Sequence, residues 1–120
     1  MKALVDASVV LAALIKQHPA NAAARAWLKN SEPVLCPIVE LAWIRVASKT
    51  YGASIEDAVN HLRRFPWAGW VPCDLSVSDG LIAPTPDKTT DWYLADLAKK
   101  HGMKWATLDK RANHPNAELV

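Results

Sequence analysis

The sequence predicts an α/β fold: a central, mostly parallel β-sheet with α-helices on both faces. Three observations predict it. Short apolar runs of strand length alternate with longer segments of helical periodicity, so helical crossovers join the strands and the strands run parallel. The chain has 120 residues, which fits one domain spanning positions 1–120 that needs no disulfide staples to bury a core. Apolar residues make up 51% and charged residues 22%, the balance of a folded globular chain and not of a disordered one.

The elements follow in order. Ala3-Leu4-Val5 reads as a short buried strand, and Ser8 to Lys16 as a compact helix ending near His18-Pro19. Asn21 to Lys29 is a second helix, with Ala22, Ala23, Ala26 and Trp27 on its apolar side and Arg25 and Lys29 in water. Pro33 to Cys36 is a second buried strand. Pro37 suits the first position of a third helix, where its missing N–H costs nothing. Leu41, Ile44 and Ala47 recur there at helical spacing up to Tyr51-Gly52. Ser54-Ile55-Glu56-Asp57 opens a fourth helix with an acidic first turn, which suits the helix dipole. Ala58, Leu62 and Phe65 form its stripe, and Pro66 ends it. Trp70 to Cys73 is a third strand, with Pro72 marking a strand end. Residues 74–89, broken by Gly80, Pro84 and Pro86, form the longest loop. Asp91 to His101 is a fifth helix, with Gly102 in the C-terminal cap place. Lys104 to Leu108 is a fourth strand, and Ala117 to Val120 a last short one.

Several function classes drop out. A net charge of +2 gives no bulk attraction to nucleic acid, so any such contact must be local. Cys36 and Cys73 are too few for a disulfide framework and read as reduced thiols of a cytoplasmic protein. His18, His61, His101 and His114 stand alone, without zinc-site spacing. Asp6 interrupts the N-terminal apolar run, which argues against a signal peptide, and no stretch is long enough to span a membrane. No glycine-rich phosphate loop follows a strand, which removes a nucleotide-binding domain. A phosphotransferase with Asp6 as nucleophile needs a second Asp two residues on, and Ser8 stands there.

Four carboxylates fall at matching places. Asp6 follows the first strand, Glu40 lies in the first turn after the second, Asp91 starts the helix before the fourth, and Asp109 follows the fourth. In a parallel sheet, ligands bind beyond the carboxyl ends of the strands. Taken singly, each has a structural explanation as a helix cap, a dipole partner or a turn residue. Gathered at one sheet edge they repel one another and call for a cation, and oxygen donors suit Mg2+ or Mn2+.

The segments around these residues are Leu4-Val5-Asp6-Ala7-Ser8, Pro37-Ile38-Val39-Glu40-Leu41-Ala42-Trp43-Ile44-Arg45, Thr90-Asp91-Trp92-Tyr93-Leu94-Ala95-Asp96-Leu97-Ala98 and Ala106-Thr107-Leu108-Asp109. In order, spacing and chain length they resemble the PIN-domain ribonucleases, above all the VapC-type toxins of toxin–antitoxin pairs. The resemblance implies a PIN-like fold and a metal-dependent endoribonuclease acting on a structured RNA such as tRNA or ribosomal RNA. It implies Asp6, Glu40, Asp91 and Asp109 as the catalytic quartet holding Mg2+ or Mn2+, with Ser8 and Thr107 beside it. Arg45 matches a basic residue that follows the family's Glu; by itself it reads as a surface charge. A VapB-like antitoxin and a homodimer are the implied partners. The alternative is a PIN-like module that binds RNA or protein without cutting.

Two positions depart from the family pattern. Trp92 replaces a small residue and reads either as helix packing or as a base-stacking group. Asp96 replaces an apolar one and reads as facing solvent or an interface. Six tryptophans are many for a small core, and aromatic residues favour interface cores; the competing reading has them filling gaps between helices and sheet.

Overall fold

The computed structural model describes all 120 residues. The elements are β1 (Lys2–Val5), α1 (Ala7–Leu14), α2 (Asn21–Lys29), β2 (Glu32–Leu35), α3 (Pro37–Lys49), α4 (Ile55–Arg64), β3 (Gly69–Trp70), α5 (Thr89–Lys100), β4 (Lys104–Thr107) and β5 (Ala117–Leu119). The five strands form one sheet in the order β3-β2-β1-β4-β5. Every pairing is parallel, so the expected mostly parallel sheet is wholly so.

The topology places the helices. From β1 the chain steps to β2 and then to β3 in one direction, through α1–α2 and α3–α4. It then returns through α5 to β4, on the other side of β1. Right-handed crossovers put the first two helix pairs on one face and α5 on the other. The direction reverses between β1 and β4, so the crevice at the strand ends opens beside Asp6 and Asp109.

The core is built from the middle strands and the helices against them. Leu4 and Val5 of β1, Val9 and Val10 of α1, Leu94 and Leu97 of α5, and Trp105 of β4 are fully buried. Strands buried on both faces need continuous apolar runs, and each of the three central strands shows one exposed residue followed by three buried ones. Gly102 closes α5 at φ 73°, with Met103 N–H donating to Ala98 O at 3.0 Å; a side chain would strain that left-handed turn.

The structure corrects the expected elements locally. The first helix stops at Leu14, before Lys16, and α5 begins at Thr89, two residues ahead of Asp91. The third strand is reduced to Gly69–Trp70, because Pro72 offers no N–H to extend the ladder. Residues 74–89 contain two 3-10 turns, Val77–Asp79 and Pro86–Lys88. The segment is also tied down: Tyr93 Oη donates to Leu75 O at 2.8 Å, and His101 Nε2 lies 2.8 Å from Asp74 Oδ1. The helix faces also shift. In α2 it is Ala24 that is buried, while Ala22, Ala23 and Ala26 face water. In α3 the buried stripe is Val39, Trp43 and Ala47, and Leu41 is exposed.

The two thiols sit in opposite settings. Cys73 is exposed, whereas Cys36 is fully buried at the end of β2, and that burial pushes its thiol up to about 11. Thiolate is the reactive form. Iodoacetamide at pH 8 is therefore expected to label Cys73 alone in the folded chain and both cysteines in urea. Equal labelling of Cys36 without denaturant, read by peptide mass, would contradict this packing.

Candidate active site

The carboxyl edge of the sheet carries a hydrogen-bonded chain of side chains. Asp6 leaves β1 with extended backbone and caps α1, its Oδ1 accepting from Ala7 N–H at 2.8 Å. Its Oδ2 accepts from Ser8 Oγ at 2.8 Å and from Thr107 Oγ1 at 3.0 Å. Thr107, the last residue of β4, is buried; its Oγ1 in turn accepts from Asp109 N–H at 3.1 Å, and Ser8 Oγ accepts from Leu108 N–H at 3.3 Å. Two hydroxyls thus join the ends of β1 and β4 and fix the Asp6 carboxylate in one orientation.

Asp91 and Asp109 stand near this junction. Asp91 sits in the first turn of α5, half-buried. Its carboxyl is pushed above the ordinary range, first by desolvation and then by the negative charges of Asp6 and Asp109, with Lys88 alone offsetting them. Asp109 Oδ1 accepts from Arg111 N–H at 2.9 Å, and that bond and the guanidinium of Arg111 hold it below the ordinary range. Three carboxylates from three places in the sequence therefore share one field of negative charge.

Glu40 occupies the same edge but faces another neighbour. It lies in the first turn of α3, with its N–H bonded to Cys36 O at 3.1 Å. Its Oε1 accepts from Trp70 Nε1 at 2.9 Å. Beside it, between α3, α4 and β3, runs a groove of about 660 Å³ lined mainly by apolar residues, among them Leu41, Ile44, Trp67 and Trp70. Arg45 is exposed on α3 and does not pair with Glu40; it stands as a surface charge.

As they are arranged here, no three acidic, histidine or cysteine side chains converge closely enough to hold a metal ion. The donor set nevertheless fits a hard divalent cation. It is made of carboxylate oxygens, as Mg2+ and Mn2+ prefer, and the charges of Asp6 and Asp109 penalise the ionised form of Asp91, a penalty that a cation would relieve.

A second network, at the amino ends of β4 and β5, ties α5 to the segment between those strands, and sequence reading missed it. His114 is buried. Its Nδ1 accepts from Asn116 N–H at 3.0 Å, which leaves the ring hydrogen on Nε2, 2.8 Å from Asp96 Oδ1. Trp92 packs edge-on against the His114 ring at 4.6 Å between centroids. Asn116 Nδ2 donates to Ala95 O and Met103 O, both at 3.0 Å. Asp96 is thus a partner of His114 within the chain, not a free solvent or interface group. The departures at Trp92 and Asp96 belong to one clasp between α5 and the segment after Asp109. Their spacing of four on one helix face was the available signal; nothing in the sequence linked that face to residue 114.

The tryptophans divide between the two readings given them. Trp43 and Trp105 are buried, and Trp43 Nε1 donates to Ala58 O at 2.9 Å. Trp27 donates to Glu118 Oε2 and Trp67 to Leu62 O, both at 2.8 Å. Trp70 is the one left largely in solvent, 55% exposed.

The PIN domain family model matches residues 3–117. Ribonuclease VapC29 of Mycobacterium tuberculosis is 30% identical over 126 residues, covering 100% of this chain and 95% of that protein. Ribonuclease VapC44 of Mycobacterium tuberculosis is 29% identical over 124 residues, covering 92% of this chain and 87% of that protein. No helix of the structure is long and apolar enough to cross a membrane.

Proposed function

This chain belongs to the PIN-domain family, within its VapC branch, and we propose that it is a metal-dependent endoribonuclease, the toxin of a toxin–antitoxin pair, that hydrolyses phosphodiesters of a structured RNA such as tRNA or ribosomal RNA. The observation that carries this reading is the hydrogen-bonded junction at the β1–β4 switch point, where Thr107 joins Asp6 to the Asp109 backbone and where burial first, and the charges of Asp6 and Asp109 second, push the nearby Asp91 carboxyl up. Asp6, Asp91 and Asp109, with Glu40 from α3, are the residues that would hold Mg2+ or Mn2+. Such an ion supplies Lewis-acid activation of water and neutralises charge developing on the phosphate.

The chain's own residues do the rest. Ser8 and Thr107 fix Asp6 and couple it to Asp109, so these ligands keep their orientation before an ion arrives; such supporting bonds tune metal affinity. With an ion bound, a carboxylate of this set that does not hold it would serve as the acceptor for the proton of water. No side-chain nucleophile is required: Ser8 Oγ donates to Asp6 and accepts from Leu108 N–H, so it is committed to structure.

The proposal includes a VapB-like antitoxin, a homodimer and action in the cytoplasm. Exposed Leu41 and Trp70, 58% and 55% accessible, support the binding of partner chains.

The test is incubation of the purified chain with total tRNA and ribosomal RNA, with Mg2+ or Mn2+ and with EDTA. Discrete fragments that need the metal are the expected result. A folded chain that binds RNA but leaves it intact in either metal would identify a binding module in place of a nuclease.

A further inference from the structure

We propose that Trp70 is a positioning residue for Glu40: its indole N–H holds one carboxylate oxygen so that the other is presented to the divalent ion. The inference rests on the reading of Glu40 as a metal ligand.

The sequence places the two groups 30 residues apart, and the sheet brings them together. Trp70 lies on β3, whose only neighbour in the sheet is β2, in register with Leu35. Its backbone is fixed from both sides, by Ala68 N–H to Pro33 O at 2.7 Å and by Val71 N–H to Leu35 O at 2.9 Å. Glu40 is fixed just as firmly one helical turn after β2. Both ends of the 2.9 Å bond between Trp70 Nε1 and Glu40 Oε1 are therefore anchored by main chain.

Core packing does not account for Trp70. More than half of its surface remains in water, whereas Trp43 and Trp105 are almost completely buried. The chemistry of the indole suits an orienting role. It is donor only and carries no charge, so it can hold a carboxylate oxygen and does not itself ligate the cation. A bond from N–H to a carboxylate is also stronger than one between neutral groups. Glu40 Oε2 is left available, and no other side chain in the chain holds Glu40.

The experiment is calorimetric titration of Mn2+ into the intact chain and into Trp70→Phe, Glu40→Gln and the double variant. Thermal melts run beside it confirm that each is folded. Phe keeps the ring and removes only the donor. Trp70→Phe is expected to weaken Mn2+ binding about 10-fold, within the 10–100-fold range for lost supporting bonds to metal ligands. It is expected to add nothing in the Glu40→Gln background, because the donor then has no ligand to hold. A structural role would lower affinity equally in both backgrounds and would overturn the proposal. Unchanged or tighter binding by Trp70→Phe would overturn it as well, the latter by showing that the indole draws Glu40 away from the ion. If Glu40→Gln alone binds Mn2+ as the parent does, Glu40 is no ligand and the proposal falls with it. The nuclease reading is then still decided separately by Asp6 and Asp91.

Discussion

Asp91→Asn is expected to abolish RNA cleavage and to make the metal-free chain more resistant to heat, while Asp6→Asn abolishes cleavage and makes it less so. Both remove one carboxylate from the same edge, and each is expected to lower kcat by about 10³-fold or more, the scale seen when one element of an electrostatic site is lost. The opposite effects on stability follow from what each carboxylate does in the absence of an ion. Asp91 suffers desolvation and the charges of Asp6 and Asp109. Because folding raises its pKa, its ionised form costs stability at neutral pH, and the parent chain regains that stability as pH falls through the raised value. An Asn at 91 carries no such charge, so its melting temperature in EDTA exceeds the parent's at pH 7, and the gap closes toward pH 4.

Asp6 is the reverse case. Its two oxygens accept from Ala7 N–H, Ser8 Oγ and Thr107 Oγ1. An Asn can keep the cap with its single oxygen, but its amide nitrogen cannot accept from the two hydroxyls. Leaving the buried Thr107 hydroxyl without its acceptor costs about 1–3 kcal/mol, which lowers the melting temperature by roughly 5–10 °C. Added Mn2+ is expected to raise the parent's melting temperature, by preferential binding to the folded state, and to leave both variants nearly unmoved. An Asp91→Asn chain that melts below the parent in EDTA would refute the picture of crowded charge at this edge.

The difference between these two aspartates was not legible in the sequence, although their place was. Residues directly after apolar strand runs reach the sheet edge in any parallel α/β fold, so the positions of Asp6 and Asp109 followed from periodicity alone. Helix starts were legible where a local rule governs them, as with Pro37 at the first position of α3 and Ser54 at the cap of α4. Burial faces were less so. Three alanines of α2 look apolar in sequence but are small enough to stand in water at little cost, and Leu41 faces a groove instead of the core. Least legible were pairings across long sequence separations. Trp70 with Glu40 and His114 with Asp96 join chain segments that meet only once the sheet order is known, and no spacing rule reaches across 30 or 18 residues.

His114→Ala is expected to be among the most damaging single changes outside the carboxylates, and for a reason that bears on the site. The buried ring ties Asn116 N–H and Asp96 Oδ1 into one clasp and supports Trp92. Truncation removes a hydrogen bond to a carboxylate, leaves the Asn116 N–H without its acceptor and opens a cavity under Trp92. Together these cost about 2–4 kcal/mol, or roughly 10 °C in melting temperature. The clasp spans α5, which carries Asp91 in its first turn, and the segment that follows Asp109. Loosening it frees one candidate ligand to move against the other. Cleavage and Mn2+ affinity are therefore expected to fall even at 15 °C, where the variant is still folded. Asp96→Asn keeps an oxygen to accept from Nε2–H and is expected to lose far less of both stability and affinity. Urea melts and Mn2+ titration of the two variants decide the point. A His114→Ala chain that is destabilised but binds Mn2+ like the parent would confine the clasp to holding the fold and would separate it from the alignment of Asp91 with Asp109.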